Sequence, residues 1–194
     1  MKKINVGVIG LGVGRQHAIS YRNNPFVDKI YISDFNKILG KKVAKEINAE
    51  SYFYNWRDML SVNLDAVSIC SYDDYHAEQM LCFANEGVSI MIEKPMCVNR
   101  EELMKIKNSK SLKKVLIQCN FILREYPRFK KIKSLVLSKK FGNIFCIEIS
   151  YMHFIEKKIT LGWRKNIVNY STLLGGGIHL LDQLFYIFQD IKIN

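Results

Sequence analysis

The chain has 194 residues, 48% of them hydrophobic and 24% charged, which suits one globular domain with a smaller second lobe and excludes a disordered or fibrous chain. No run approaches the ~20 consecutive apolar residues of a membrane helix, and the apolar run behind Met1-Lys2-Lys3 is interrupted at Gly10 before it resembles a secretory signal; a cytoplasmic protein without a membrane partner is expected. The 29 Lys and Arg against 18 Asp and Glu leave a net charge of +11, and because these lysines are scattered rather than interleaved with aromatics in one stripe, the charge suits an anionic small molecule rather than nucleic acid.

In chain order, the first apolar, β-branched run is residues 4–9, a predicted strand. It runs into Gly10-Leu11-Gly12-Val13-Gly14, and a helix-period stretch follows at 17–22. Glycines between a strand and a helix permit a tight turn and bring backbone close to a pyrophosphate at the positive end of the helix dipole. Gly10, Gly12, Val13 and Gly14 are therefore candidate contacts to a dinucleotide; the alternative is an ordinary strand-to-helix turn with no ligand. The spacing is G-x-G-x-G, with Arg15 where the usual third glycine stands, so a non-standard helix approach is expected there. A second strand at 30–32 ends near Asp34, where an acid would meet the ribose 2′-hydroxyl. This carboxylate would repel a 2′-phosphate, so NAD is expected, with NADP the alternative that Lys37 and the overall charge leave open.

The alternation continues with a helix at 38–47, a strand at 66–70, a helix at 75–85, a strand at 88–92, a helix at 100–107 whose start is marked by the capping pair Asn99 and Glu102, and a strand at 115–117. Near-continuous apolar strands alternating with helices require a parallel sheet covered on both faces. Residues 1–120 are therefore read as an α/β domain of the doubly wound Rossmann type. From residue 121 the pattern changes. A helix is expected around Phe129, Ile132, Leu135 and Val136, then a turn at Gly142-Asn143, then a strand whose alternate residues Phe145, Ile147, Ile149 and Tyr151 form one apolar face. An irregular stretch to Leu174, three glycines and an apolar helix from about 178 to 188 complete a partial α/β second domain over 121–194. Five cysteines, Cys70, Cys82, Cys97, Cys119 and Cys146, are odd in number and widely spaced; they are expected to be reduced and mostly buried, with no disulfide framework and no metal-ligand spacing.

Four segments together carry a resemblance: the glycine turn, the stretch from Asp65 to Gln79, the run Glu93-Lys94-Pro95-Met96, and Gly175-Gly176-Gly177-Ile178-His179-Leu180-Leu181-Asp182. In this order they resemble the Gfo/Idh/MocA oxidoreductases. The resemblance implies an N-terminal Rossmann domain and a C-terminal α/β domain whose open sheet carries a sugar site and an oligomer interface. It implies that Lys94 lies beside the nicotinamide and is catalytic, polarising or protonating the alkoxide as hydride moves; a surface lysine before a turn proline is the alternative. Glu93 would orient Lys94 or touch the cofactor ribose. Ser71, Tyr72 and His76 would line the cofactor path, unless His76 only caps or packs.

By the same resemblance His179 is the second catalytic candidate, a neutral imidazole near a helix start that accepts the substrate hydroxyl proton. Asp182, one turn on, would orient it or meet substrate. Many members carry an aspartate at the position of Gly175, so one member of the usual acid/base pair is missing here. Trp163, Arg164 and Tyr170 resemble a loop that reaches the active site in part of the family: the rings would stack on a sugar or nicotinamide, and the Arg164 fork would grip a carboxylate or phosphate. Trp163 as a loop anchor is the alternative. Together with Tyr151 they suggest a polar ring bearing an anionic group. The implied function is NAD(P)-dependent oxidation or reduction at a hydroxyl of a sugar, cyclitol or nucleotide-sugar, in a homo-oligomer built through the second domain. Members continue into further strands beyond the catalytic helix, so a truncated, catalytically weak cofactor-binding protein, or a subunit needing a partner chain, is the alternative expectation.

Overall fold

In the computed structural model, which describes residues 2–154 and 156–188, the apolar runs of the unit Met1–Asn120 become strands β1 (Ile4–Ile9), β2 (Val27–Ser33), β3 (Ser51–Phe53), β4 (Ala66–Ile69), β5 (Ser89–Ile92) and β6 (Ile117–Cys119). All pair in parallel, in the order β3-β2-β1-β4-β5-β6. Helices α1 (Gly14–Arg22), α2 (Lys37–Ile47), α3 (His76–Asn85) and α4 (Arg100–Asn108) alternate with them. Strand order reverses between β1 and β4, and ligands of such sheets bind in the crevice outside the carboxyl ends of the strands at that switch.

Both faces of the sheet are buried, which explains why the strands read as continuous apolar runs. Val6, Val8, Ile30 and Ile32 point to one core with Ala18 of α1 and Val43 and Ile47 of α2. Ile9, Tyr31, Val67, Ile69, Ile90 and Ile92 share the other with Met80, Phe83 and Ala84 of α3. The expected cap of α4 forms: Asn99 Oδ1 accepts from Glu102 N at 2.8 Å, and Glu102 Oε2 accepts from Val98 N at 2.9 Å. Two details differ from expectation. Strand β3 has no counterpart in the predicted set, because its three half-buried residues are too short for a period to show. The last strand starts two residues late, at Ile117, since a short 3-10 turn (Leu112–Lys114) occupies the chain just before it.

The unit Phe121–Asn194 holds α5 (Pro127–Leu137), with proline in its first turn, the short α6 (Glu156–Thr160) and α7 (Ile178–Ile187), entered through a wide π-type turn at Leu173–Gly177. Helices α5 and α7 pack on one another. The predicted strand with Phe145, Ile147, Ile149 and Tyr151 does not form: residues 144–154 pair with no neighbouring strand among the described residues, and Phe145 is 99% exposed. Alternation can define an apolar face, but a strand also requires a neighbour for its N–H and C=O groups. The cysteines are free, yet only Cys70 is buried; Cys82, Cys97 and Cys119 are half-buried and Cys146 is exposed, correcting the expectation of a mostly buried set.

Candidate active site

The turn between β1 and α1 uses its three glycines differently. Gly10 has φ +80°, and a Cβ there would stand 2.5 Å from the Cys70 carbonyl oxygen, so the turn touches the end of β4 backbone to backbone. A Cβ on Gly14 would meet Val8 Cγ1 at 2.9 Å and Cys70 Cβ at 3.1 Å, where α1 presses onto the sheet. Gly14 thus takes the packing role that the usual spacing gives to a glycine one residue later. Arg15 points outward instead, with Nε 2.9 Å from Glu46 Oε2. Gly12 is the open one: a Cβ there would have nothing within 4 Å. No side chain caps α1, its first turn has no acidic residue, and Val13 at the cap position is exposed. A helix start with uncapped N–H groups, positive by its dipole and facing open space over a glycine, fits a pyrophosphate.

Asp34 ends its strand beside this turn. Its Oδ2 accepts from Leu11 N at 2.7 Å and its Oδ1 from Asn36 N at 2.7 Å. Each oxygen keeps a lone pair that can accept from a ribose hydroxyl. Phe35 and Tyr72, which follow β2 and β4, meet edge to face at 5.4 Å between ring centroids. Ser71 Oγ donates to Gln79 Oε1 at 2.7 Å, which ties its loop to α3.

Glu93 and Lys94 follow β5 at the carboxyl edge. Both are half-buried. Glu93 Oε1 accepts from Asn120 Nδ2 at 2.6 Å and faces His17 Nε2 at 3.3 Å. Burial pushes the Glu93 carboxyl up, but the hydrogen bonds from His17 and Asn120 and the charges of His17 and His76 outweigh it and hold it below the ordinary carboxylate range. His76 is fully buried, with Nδ1 2.7 Å from the Pro95 carbonyl oxygen and Nε2 3.2 Å from the Ser71 carbonyl oxygen. It therefore clamps the loops after β4 and β5 together from behind. Its expected place in the cofactor path is corrected to a packing role, since both ring nitrogens are directed at backbone.

In the second unit, Tyr151 and Phe121 flank the buried His179, at 6.0 and 6.3 Å between ring centroids. Asp182 has a different role from the expected one. Its buried carboxylate receives the Arg124 fork, with Nε 3.0 Å from both oxygens. A buried carboxylate needs a cation and hydrogen bonds, and Arg124 supplies both, so Asp182 anchors α7 rather than meeting substrate. Trp163, Arg164 and Tyr170 do come together: the guanidinium lies 4.1 Å from the Trp163 ring centroid, and Nε donates to Tyr170 Oη at 2.9 Å. Among the described residues no helix is long and apolar enough to cross a membrane, and no group of three or more His, Cys, Asp or Glu side chains could hold a metal ion.

His17, Asn120 and Arg124 were not among the sequence candidates. The signal for His17 was present: His17 and Tyr21 stand one turn apart on α1, on the side where Ala18 faces the sheet, and two polar residues there need partners. Asn120 and Arg124 reach their partners only through the fold, and the local sequence carries no sign of either contact.

The oxidoreductase family model with an NAD-binding Rossmann fold, Gfo/Idh/MocA, matches residues 4–121. Glucose-6-phosphate 3-dehydrogenase of Bacillus subtilis is 28% identical over 98% of this chain and 55% of its own length. The inositol 2-dehydrogenase/D-chiro-inositol 3-dehydrogenase of Halalkalibacterium halodurans is 25% identical over 96% of this chain and 53% of its own. The chain thus spans about half the length of the curated relatives it matches. In fold it is similar to scyllo-inositol dehydrogenase from Lactobacillus casei, solved with NAD(H) and scyllo-inositol, with TM-score 0.77, 22% identity, and coverage of 96% of this chain and 56% of that one.

Proposed function

The chain belongs to the Gfo/Idh/MocA family of oxidoreductases, whose Rossmann fold binds NAD, and on that premise we propose that it takes part in NAD-dependent oxidation or reduction of a ring hydroxyl on a sugar or cyclitol. The observation that carries the reading is one edge of one sheet: the uncapped start of α1, the Asp34 carboxylate and the Glu93-Lys94 step all stand at the carboxyl ends of the strands. When bound, NAD supplies the hydride acceptor. Lys94 supplies the positive charge that stabilises an alkoxide as it develops. Asp34 receives the ribose hydroxyls and disfavours the 2′-phosphate of NADP. Ser71 and Tyr72 line the same edge, and in the second unit His179 is assigned the hydroxyl proton.

The names of the relatives, a sugar-phosphate and an inositol dehydrogenase, support the substrate class. The Arg164 fork between Trp163 and Tyr170 supports an anionic group on the ring, which a sugar phosphate or a nucleotide-sugar would carry. The five free cysteines support a reducing, cytoplasmic setting, and the exposed apolar side chains of residues 144–154 support self-association through the second unit. The test is a pair of titrations followed by an assay. NADH should bind in the micromolar range and more tightly than NADPH, and sugar phosphates or cyclitols should then reduce NAD. Failure to bind NADH at millimolar concentration would overturn the reading. A second reading, cofactor binding without turnover, is favoured by one observation: the apolar segment 145–151 forms no strand. It predicts NADH binding with no reaction across a broad panel of sugars.

A further inference from the structure

Behind the Glu93-Lys94 step runs a buried polar chain that the proposed reaction does not yet use. Tyr21 Oη lies 2.6 Å from Ser68 Oγ, Ser68 Oγ lies 3.3 Å from His17 Nδ1, and His17 Nε2 lies 3.3 Å from Glu93 Oε1, which also accepts from Asn120. Ser68 is fully buried, and the His17 and Glu93 side chains are 13% and 17% exposed. Water has little access to replace these contacts.

We propose that His17 is a positioning residue for the reaction at Lys94, holding the neighbouring Glu93 carboxylate through Nε2–H while Ser68 and Tyr21 accommodate the other ring nitrogen. The inference rests on Lys94 being the reacting lysine. An ionised carboxylate only accepts hydrogen bonds, so the nitrogen facing it carries the proton. In a neutral ring Nδ1 is then an acceptor, Ser68 donates to it and Tyr21 donates to Ser68. In a protonated ring Nδ1–H donates to Ser68 and Ser68 donates to Tyr21. Both hydroxyls rotate freely enough to serve either state, and Nε2–H stays on Glu93 in both. Burial raises the Tyr21 phenol above its ordinary range, against the Ser68 hydrogen bond that lowers it, so Tyr21 keeps its proton throughout. The Cys70 thiol, 3.7 Å from Nδ1, is also pushed up by burial and stays protonated. The chain therefore ties α1, whose start meets the pyrophosphate in our reading, to the residue preceding Lys94.

The test uses the full chain with His17→Leu, His17→Gln and Ser68→Ala, and follows the Glu93 carboxyl carbon by NMR, assigned through Glu93→Gln. His17→Leu should raise the Glu93 midpoint by about one pH unit, and His17→Gln, which keeps an N–H donor, should restore at least half of that shift. Affinity for NADH should stay within about twofold, while kcat of His17→Leu falls about tenfold or more with KM for the sugar little changed. Ser68→Ala, which leaves the imidazole in place, should give a smaller loss in the same direction. An unmoved Glu93 midpoint in His17→Leu, or a kcat within twofold of the unaltered chain, would overturn the proposal. If the unaltered chain binds NADH yet turns over no sugar, the proposed function fails first and takes the catalytic half of this proposal with it. An unmoved midpoint in a chain that does turn over sinks this proposal alone.

Discussion

Replacing Lys94 by alanine removes one ammonium but leaves the contacts that hold its corner, because Glu93 is bound by His17 and Asn120 and the Pro95 carbonyl by His76. The loss should therefore appear in the chemical step: kcat lower by about 10²- to 10⁴-fold, with NADH affinity within about threefold. Steady-state rates and an NADH titration on the same sample check this. Glu93 makes a separate prediction about pH. Its carboxyl sits below the ordinary range in the folded chain, because the bonds from His17 and Asn120 outweigh the opposing effect of burial. A depressed carboxyl contributes stability that is fully present above the unfolded value of ~4.3 and is lost as pH falls through the folded value. Glu93→Gln should accordingly be less stable than the unaltered chain at pH 7, with the difference shrinking as pH falls below about 4. Urea denaturation at pH 7 and at pH 3.5 measures that convergence.

At the scale of elements, helix α7 depends on a contact far from it in sequence. Arg124, in the short 3-10 turn Ile122–Glu125, holds the Asp182 carboxylate by its fork, and Phe121 and Tyr186 stack near the same guanidinium. Arg124→Ala would leave a buried carboxylate without its cation. The Arg124 side chain is 44% exposed, so solvent softens the penalty, and a loss of about 1–3 kcal/mol is expected. It should show as faster amide hydrogen exchange along α7 while the amides of β1 and β4 stay protected. The same helix shows what the sequence could and could not reveal. Its apolar period announced it, as did the periods of α1 to α5, and the βα alternation announced the sheet. Residues 145–151 alternate just as cleanly, yet form no strand, since a period describes the face of an element and carries nothing about its neighbour. Of the residues proposed for the site, Gly10, Gly12, Asp34 and Lys94 are marked locally in the sequence, by a turn, a strand end and a short motif. The partners Asn120 and Arg124 meet Glu93 and Asp182 only after folding, and Asp182 read as a substrate contact for want of its arginine.

For the whole molecule, the distribution of buried apolar side chains decides which part can stand alone. Among the described residues, every buried hydrophobic except Ile187 lies between Val6 and Leu112. The unit Met1–Asn120 therefore contains both faces of its sheet, the helices that cover them, and the glycine turn, Asp34, Ser71, Tyr72 and Lys94 of the proposed cofactor edge. A domain of about 120 residues with one continuous sheet is large enough to fold cooperatively. Residues 1–120 made as a separate chain should thus unfold in a single transition and bind NADH within about threefold of the full chain, with Asn120 still present to hold Glu93. Residues 121–194, with Ile187 as their one described buried hydrophobic, should show no cooperative transition, because so little apolar area cannot offset the conformational entropy of ordering the chain. Calorimetry on the two pieces separates the cases. A first piece that melts without cooperativity, or loses NADH binding, would mean that the sheet of Met1–Asn120 depends on the second unit for its stability.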